Sequence, residues 1–152
     1  ATYALELLDA YLASGMSSRL FLKIREEKGL AYSVQSGIQA EKQYSYYSIY
    51  TGTTAKAIPL IKKIILDELA KLQYMTSTQL AESKKRVIGL THLSKEESTK
   101  VMMELLFMEY ATNAEEYYLR EKIMASITLK EVRALARQLA RAPYSTAAIV
   151  PA

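Results

Sequence analysis

Two strong hydrogen-bond donors, Arg25 and Tyr32, stand where a helical pattern gives way to a strand pattern. A phenol hydroxyl can donate to the oxyanion that develops when a peptide carbonyl is attacked, and a guanidinium can hold a neighbouring carbonyl or carboxylate. The residues alone leave a simpler reading open, because arginine is favoured near helix C-termini and tyrosine is common in strands. The pair is a candidate peptide-binding half-site rather than a complete catalytic centre.

Metal binding by this chain has little support in its composition. A catalytic zinc needs about three protein ligands and an open position, whereas the sequence has no cysteine and one histidine, His92. Glu96 follows His92 by one helical turn and could share a metal with it, but no further ligand completes the set. We therefore expect no metal in this chain and read His92 as an ordinary helical histidine near Glu96 and Glu97.

A helix, a glycine and a strand position the candidate pair. From Ser17 to Lys28 apolar residues recur at helical spacing, with Ser17 or Ser18 as the cap. Gly29 stands where this helix ends, since glycine adopts the left-handed conformation without steric cost. Residues 32–38 then alternate with the period of a strand that has one buried face, which places Tyr32 at its first rung.

A second strand is predicted from Gln43 to Thr51, after a turn at Glu41-Lys42. Its Tyr44, Tyr46 and Tyr50 share one face. Such tyrosines commonly pack on a sheet with wet hydroxyls. Alternatively, an extended peptide adds to an exposed strand edge here, but the sequence does not tell which edge is free.

The rest of the chain is predicted to be mainly helical. The expected helices cover residues 3–12, 54–72, 81–90, 101–110, 114–125 and the segment after Thr128, with capping boxes at Thr76-x-x-Gln79 and Thr128-x-x-Glu131. The methionine-rich 101–110 segment is interpreted as a pliable core or a subunit contact. With a closing strand at Thr146 to Val150, the prediction is an α+β fold in which helices cover an antiparallel sheet of about three strands.

Composition narrows the functional classes. The 152 residues are half apolar and fit a single domain, 1–152, and the absence of cysteine fits a reducing compartment, so a cytoplasmic location is expected. No apolar run approaches the ~20 residues of a membrane span, so no membrane partner is expected. The net charge is +4, and basic residues stripe the last helix at Lys130, Arg133, Arg137 and Arg141. A solvated helix face explains that stripe better than nucleic-acid binding does.

The sequence around the pair resembles one family specifically. The segments Gly15-Met16-Ser17-Ser18-Arg19-Leu20-Phe21, Ile24-Arg25-Glu26 and Gly29-Leu30-Ala31-Tyr32-Ser33-Val34 are similar to the pitrilysin/insulinase family of zinc peptidases, of the mitochondrial processing peptidase type. The resemblance implies two homologous halves, only one of which binds zinc through a His-x-x-Glu-His helix. It also implies that Arg25 and Tyr32 belong to the other half and reach the peptide held in the zinc site.

The resemblance implies a substrate-binding, non-zinc half that completes the active site of a homologous zinc-binding partner and is inactive alone. Its partners would be that half and a peptide or protein substrate, and its location would be the mitochondrial matrix in a eukaryote. Because the chain begins at Ala1, we expect an N-terminally truncated fragment whose exposed sheet favours self-association. Two alternatives remain: a structural assembly subunit of the same fold, and a binding module that uses the basic last helix.

Overall fold

The computed structural model describes residues 2–40 and 43–150, which form a two-stranded antiparallel hairpin and seven α-helices. The elements in chain order are α1 (Thr2–Leu12), α2 (Arg19–Phe21) with its π-helical continuation (Leu22–Glu27), β1 (Ala31–Ala40), β2 (Ser45–Thr53), α3 (Ile58–Lys71), α4 (Ser77–Ser94), α5 (Ser98–Ala111), α6 (Glu115–Ser126) and α7 (Leu129–Arg141). The α+β prediction is therefore confirmed. Within these residues, no helix combines the length and apolar character that crossing a bilayer requires.

The core lies between α1, the inner face of the hairpin, and the apolar sides of α3 and α7. Its members include Leu7, Leu8, Leu12, Leu20, Ile24, Val34, Ile61, Ile64, Leu72, Met124, Val132 and Ala136. Each large side chain that is fully buried contributes roughly 1.5–3 kcal/mol. Tyr47 adds a polar anchor, because its hydroxyl donates to Asp9 Oδ1 at 2.6 Å and ties β2 to α1. This core fixes the outer surface of the hairpin relative to the helices.

The capping boxes predicted from the sequence are confirmed. The Gln79 amide donates to Thr76 Oγ1, and the Thr76 amide donates in return to Gln79 Oε1. Thr128 and Glu131 make the same reciprocal pair at the start of α7. Reciprocal caps satisfy backbone amides that would otherwise lack partners at helix starts. Because each cap involves only four consecutive residues, these helix boundaries could be predicted from the sequence.

The predicted closing strand at Thr146 to Val150 is wrong. These residues form no regular structure, and Ile149 is fully exposed. A strand needs a neighbour to complete its hydrogen bonds, and the described residues pair only β1 with β2. The second strand was also misplaced by two residues, since β2 runs from Ser45 to Thr53, and the predicted turn at Glu41-Lys42 lies outside the described residues.

The methionine-rich helix exists as α5, but its interpretation as core is wrong. None of its residues is buried, and Met102, Leu106 and Phe107 are each about 60% exposed. The contact interpretation therefore stays open. On α7, Lys130, Arg137 and Arg141 are exposed as expected of a solvated face, whereas Arg133 Nε donates to the Met75 carbonyl at 2.9 Å.

Candidate functional site

The helix that carries Arg25 starts from a buried serine. Ser18 is fully buried, and its hydroxyl accepts from the Phe21 amide, which makes it the N-cap of α2. Just before it, Arg86 of α4 donates to the Ala10 carbonyl at 3.1 Å and to Ser17 Oγ at 3.0 Å. Gly15 turns beneath this guanidinium with a φ of +81°. The stretch therefore sets the helix start and packs the domain.

The helix then widens into a π-helical turn that contains Arg25. The segment Leu22–Glu27 makes this wider turn, and π-helical turns inside helices are often found at functional sites. Gly29 ends the segment with a φ of +58°, as the sequence predicted. The Gly29 amide donates to the Arg25 carbonyl at 3.0 Å, and the Leu30 amide donates to the Ile24 carbonyl at 2.8 Å. These bonds fix the Arg25 backbone directly before β1.

A β-bulge at the start of β1 directs Tyr32 outward. Ala31 pairs with Thr53 and Ser33 pairs with Gly52, so β1 carries one additional residue at this point. Strict alternation would place Tyr32 on the face of the buried Val34; instead Tyr32 is 81% exposed. A bulge reverses the alternation locally and re-aims a side chain. The Thr53 hydroxyl donates to the Leu30 carbonyl at 2.6 Å and fastens the chain where it enters the bulge.

The structure brings Arg25 and Tyr32 into contact. The guanidinium carbon of Arg25 lies 4.8 Å from the centre of the Tyr32 ring and 4.8 Å from that of the Phe21 ring. Arg25 Nε also lies 3.5 Å from Glu26 Oε1. Cation–π contacts at this range contribute roughly 0.5–1 kcal/mol each at exposed sites. These contacts hold the charged guanidinium beside an exposed phenol.

A buried carboxylate, which the sequence analysis missed, anchors the same helix to α3. Glu68 is 3% exposed and accepts from Arg19 Nε at 3.1 Å, Lys23 Nζ at 2.6 Å and Lys71 Nζ at 2.9 Å. Its position among the apolar residues of α3, opposite a helix with two cations, was the available signal. Burial alone would raise the pKa of Glu68, but bonds from Lys23, Lys71 and Arg19 outweigh it and lower that pKa to about 2.

The described residues do not fit a zinc site. They contain no group of three or more histidine, cysteine, aspartate or glutamate side chains that could hold a metal ion. His92 Nε2 lies 3.1 Å from Glu121 Oε1, so its partner is on α6 rather than at Glu96 or Glu97 as expected. Glu121 also accepts from Lys95 Nζ at 2.6 Å. These contacts tie α4 to α6.

The chemistry that the site can supply is hydrogen-bond donation. The Tyr32 hydroxyl has no hydrogen-bond partner among the residues that the structure describes, and it stands at the surface beside the Arg25 guanidinium. Two adjacent donors of this kind can bind a carbonyl or stabilise an oxyanion presented from outside. The Glu26 carboxylate beside them pairs with Arg25, and the described residues offer no group of side chains that could hold a metal ion.

Comparison with known proteins adds family information. The sequence profile described as "Peptidase M16 inactive domain" matches residues 1–87. A Bacillus subtilis protein named an uncharacterized zinc protease is 36% identical over 156 residues, covering 98% of this chain and 37% of that protein. A Helicobacter pylori protein named a non-peptidase homolog is 36% identical over 89 residues, covering 56% of this chain and 20% of that protein.

Solved structures share the fold. The crystal structure of a peptidase M16 inactive domain from Pseudomonas fluorescens matches with a TM-score of 0.71 and 23% identity, covering 91% of this chain and 34% of that one. The chain spans only about a third of the length of the curated relatives that it matches first.

Proposed function

Because the chain belongs to the peptidase M16 family as an inactive domain, we propose that it forms the substrate-binding half of a zinc-dependent endopeptidase whose metal is held by a homologous half. The relatives named zinc proteases and the lack of a metal-binding group in the described residues support this division. The observation that carries the proposal is the exposed Arg25–Tyr32 pair, which offers two hydrogen-bond donors to a peptide.

Each member of the pair has its own role. The Arg25 guanidinium, which contacts the rings of Phe21 and Tyr32, holds a carbonyl or carboxylate of the bound peptide. The Tyr32 hydroxyl donates to the oxyanion that develops on the scissile carbonyl. A donor directed at developing charge lowers the barrier without itself forming a bond to the substrate. Both residues therefore support a reaction whose metal chemistry lies in the partner half.

Peptide hydrolysis by the full-length protein, or by the pair of halves with zinc present, tests this proposal. Tyr32→Phe removes one hydroxyl and Arg25→Ala removes the guanidinium, while Arg137→Ala on the exposed face of α7 serves as the matched control. Loss of one oxyanion donor lowers kcat by ~10²-fold. Circular dichroism verifies that each variant is folded. Wild-type turnover by Arg25→Ala and Tyr32→Phe alike would overturn the catalytic role of the pair.

A second candidate function is a structural assembly subunit of the same fold. Two observations favour it: the apolar residues of α5 are exposed, and one relative is named a non-peptidase homolog. In that case the full-length protein lacks turnover with any partner half, and Leu106→Glu and Phe107→Glu abolish its assembly. Sedimentation velocity measures the assembly, with Thr99→Glu, which adds the same charge at an exposed position of the same helix, as the control.

A further inference from the structure

The outer face of the hairpin carries a row of exposed tyrosines. Tyr44, Tyr46 and Tyr50, here called the tyrosine row, are 58%, 57% and 62% exposed. Tyr47, on the opposite face of β2, points inward to Asp9. The row leads along β2 towards Gly52, which pairs with Ser33 beside the Tyr32 bulge. The candidate site therefore stands near one end of the tyrosine row.

The residues that pair with this part of β2 are small or neutral. Gln39 pairs with Tyr46, Gly37 with Ser48, Gln35 with Tyr50 and Ser33 with Gly52. The face that these pairs form carries no charged side chain among the described residues. Tyrosine combined with serine, glycine and amides gives large contact area with adaptable hydrogen bonding, the composition of many binding surfaces for polypeptides. Its neutral character suits a peptide main chain better than it suits a highly charged partner.

The spacing of the row matches that of an extended peptide. The Tyr44 and Tyr46 rings are stacked with centres 6.4 Å apart and planes within 6° of each other. Alternate side chains of an extended chain repeat at about 6.6 Å, because each residue advances about 3.3 Å. Alternate side chains of a peptide that runs along β2 would therefore repeat at nearly the same distance as the Tyr44 and Tyr46 rings.

The row is interrupted at Ser48. Tyr46 and Tyr50 flank this residue and are separated by about 13 Å of strand. The floor of the gap is closed, since a Cβ added to Gly37 would come within 2.9 Å of Ser48 Oγ. Ser48 is therefore a small, neutral residue flanked by two exposed tyrosines, and this break in the row is called the Ser48 notch.

We infer that the tyrosine row is an extended subsite for the substrate peptide, and that the Ser48 notch takes a large apolar or aromatic side chain. Gly52, beside Tyr32, is also separated from Ser48 by about 13 Å of strand. The peptide residue at the Ser48 notch therefore lies about four residues along the peptide from the residue that contacts Tyr32. The inference rests on the proposed function, because Tyr32 is the point at which the row and the candidate site meet.

The experiment compares internally quenched peptides of increasing length and a series that moves one phenylalanine through a glycine- and serine-rich peptide. The enzyme is the full-length protein, or the pair of halves, with zinc. The double variant Tyr46→Thr/Tyr50→Thr removes the two aromatic rings that flank Ser48 while keeping residues that suit a strand. Ser48→Tyr fills the notch, and Tyr74→Thr, at a tyrosine that is 72% exposed elsewhere, is the control.

In the wild type, kcat/KM should rise with length on one side of the cleaved bond and show a phenylalanine preference about four residues from the position at Tyr32. The double variant should lower kcat/KM for long peptides by about 5- to 30-fold, the effect of losing one or two anchoring side chains, and leave short peptides unchanged. Ser48→Tyr should remove the phenylalanine preference alone.

Equal rates for long and short wild-type peptides, or equal losses on both in the double variant, would overturn the inference. It would also be overturned if the row joined two copies of this chain, which sedimentation would show as a concentration-dependent dimer that the double variant abolishes without any effect on long peptides. In either result, short-peptide turnover that still depends on Tyr32 leaves the proposed function intact. If instead turnover of short peptides does not depend on Tyr32 while longer peptides are still cleaved faster, the proposed role of Tyr32 is removed.

Discussion

The guanidinium carbon of Arg25 lies 4.8 Å from the centre of the Tyr32 ring. This contact joins a π-helical turn to the bulged start of a strand. The bulge also serves the hydrophobic core, because Ala31 and Val34 are both buried although strict alternation would place them on opposite faces. The π-helical turn and the bulge together place the cationic guanidinium against an exposed phenol, and the centre of the Phe21 ring lies 4.8 Å from the same guanidinium carbon. The two irregularities thus fix the positions of Arg25 and Tyr32 relative to each other.

The first prediction concerns the shape of the cation. Arg25→Lys keeps the charge but loses the planar group that contacts the rings of Phe21 and Tyr32. We expect kcat/KM for peptide hydrolysis to fall about tenfold and thermal stability to change little, since exposed cation–π contacts contribute only about 0.5–1 kcal/mol each.

A double-variant cycle separates positioning from direct contact in that prediction. If Arg25 acts partly by orienting Tyr32, Tyr32→Phe should cost less activity in the Arg25→Lys background than in the wild type. Arg137→Lys, on the exposed side of α7, is the control and should match the wild type. Strictly additive losses would contradict the orienting role of Arg25.

The second prediction contrasts two glycines. Gly15 has a φ of +81° and lies against the Arg86 guanidinium, which is itself held by Ala10 and Ser17. Gly15→Ala should therefore destabilise the protein by about 2 kcal/mol in chemical denaturation. Gly89, within α4, has open space where an alanine methyl group would lie, so Gly89→Ala should stabilise by about 0.5–1 kcal/mol. A shift of the same sign in both variants would refute the conformational argument.

Local sequence signals predicted much of this site, and contacts between distant segments account for the rest. Ser18, Gly29 and the two capping boxes act within a few residues, so spacing sufficed to place them. The Tyr32 bulge depends on how β2 pairs with β1, and the Glu68 cluster joins residues more than 40 positions apart. The closing strand failed for the same reason, because strand propensity at Thr146 to Val150 does not supply a pairing partner.

The third prediction concerns the pH dependence of stability. The pKa of Glu68 is lowered from its ordinary 4.5 to about 2, so the folded state favours its ionised form. This contribution is fully present above pH 4.5 and is lost as the pH falls towards 2. Glu68→Gln should destabilise by about 3 kcal/mol at pH 7 and flatten the stability profile between pH 5 and pH 2.

Urea denaturation at several pH values measures this effect. Glu97→Gln is the control, because Glu97 pairs with Lys100 on the exposed surface and should change stability by less than about 0.5 kcal/mol. An unchanged slope between pH 5 and pH 2 in Glu68→Gln would show that other carboxylates control acid unfolding.

The fourth prediction tests what holds the bulge in place. Thr53→Val is nearly isosteric but removes the hydroxyl that donates to the Leu30 carbonyl at 2.6 Å. The loss of this bond should lower the free energy of unfolding by about 1 kcal/mol. Because Leu30 leads directly into the bulge that exposes Tyr32, we also expect a several-fold fall in kcat with little change in KM. Thr51→Val, two residues earlier in β2, is the control and should alter neither the free energy of unfolding nor kcat. Equal effects of the two substitutions would mean that Thr53 supports the strand in general rather than the position of Tyr32.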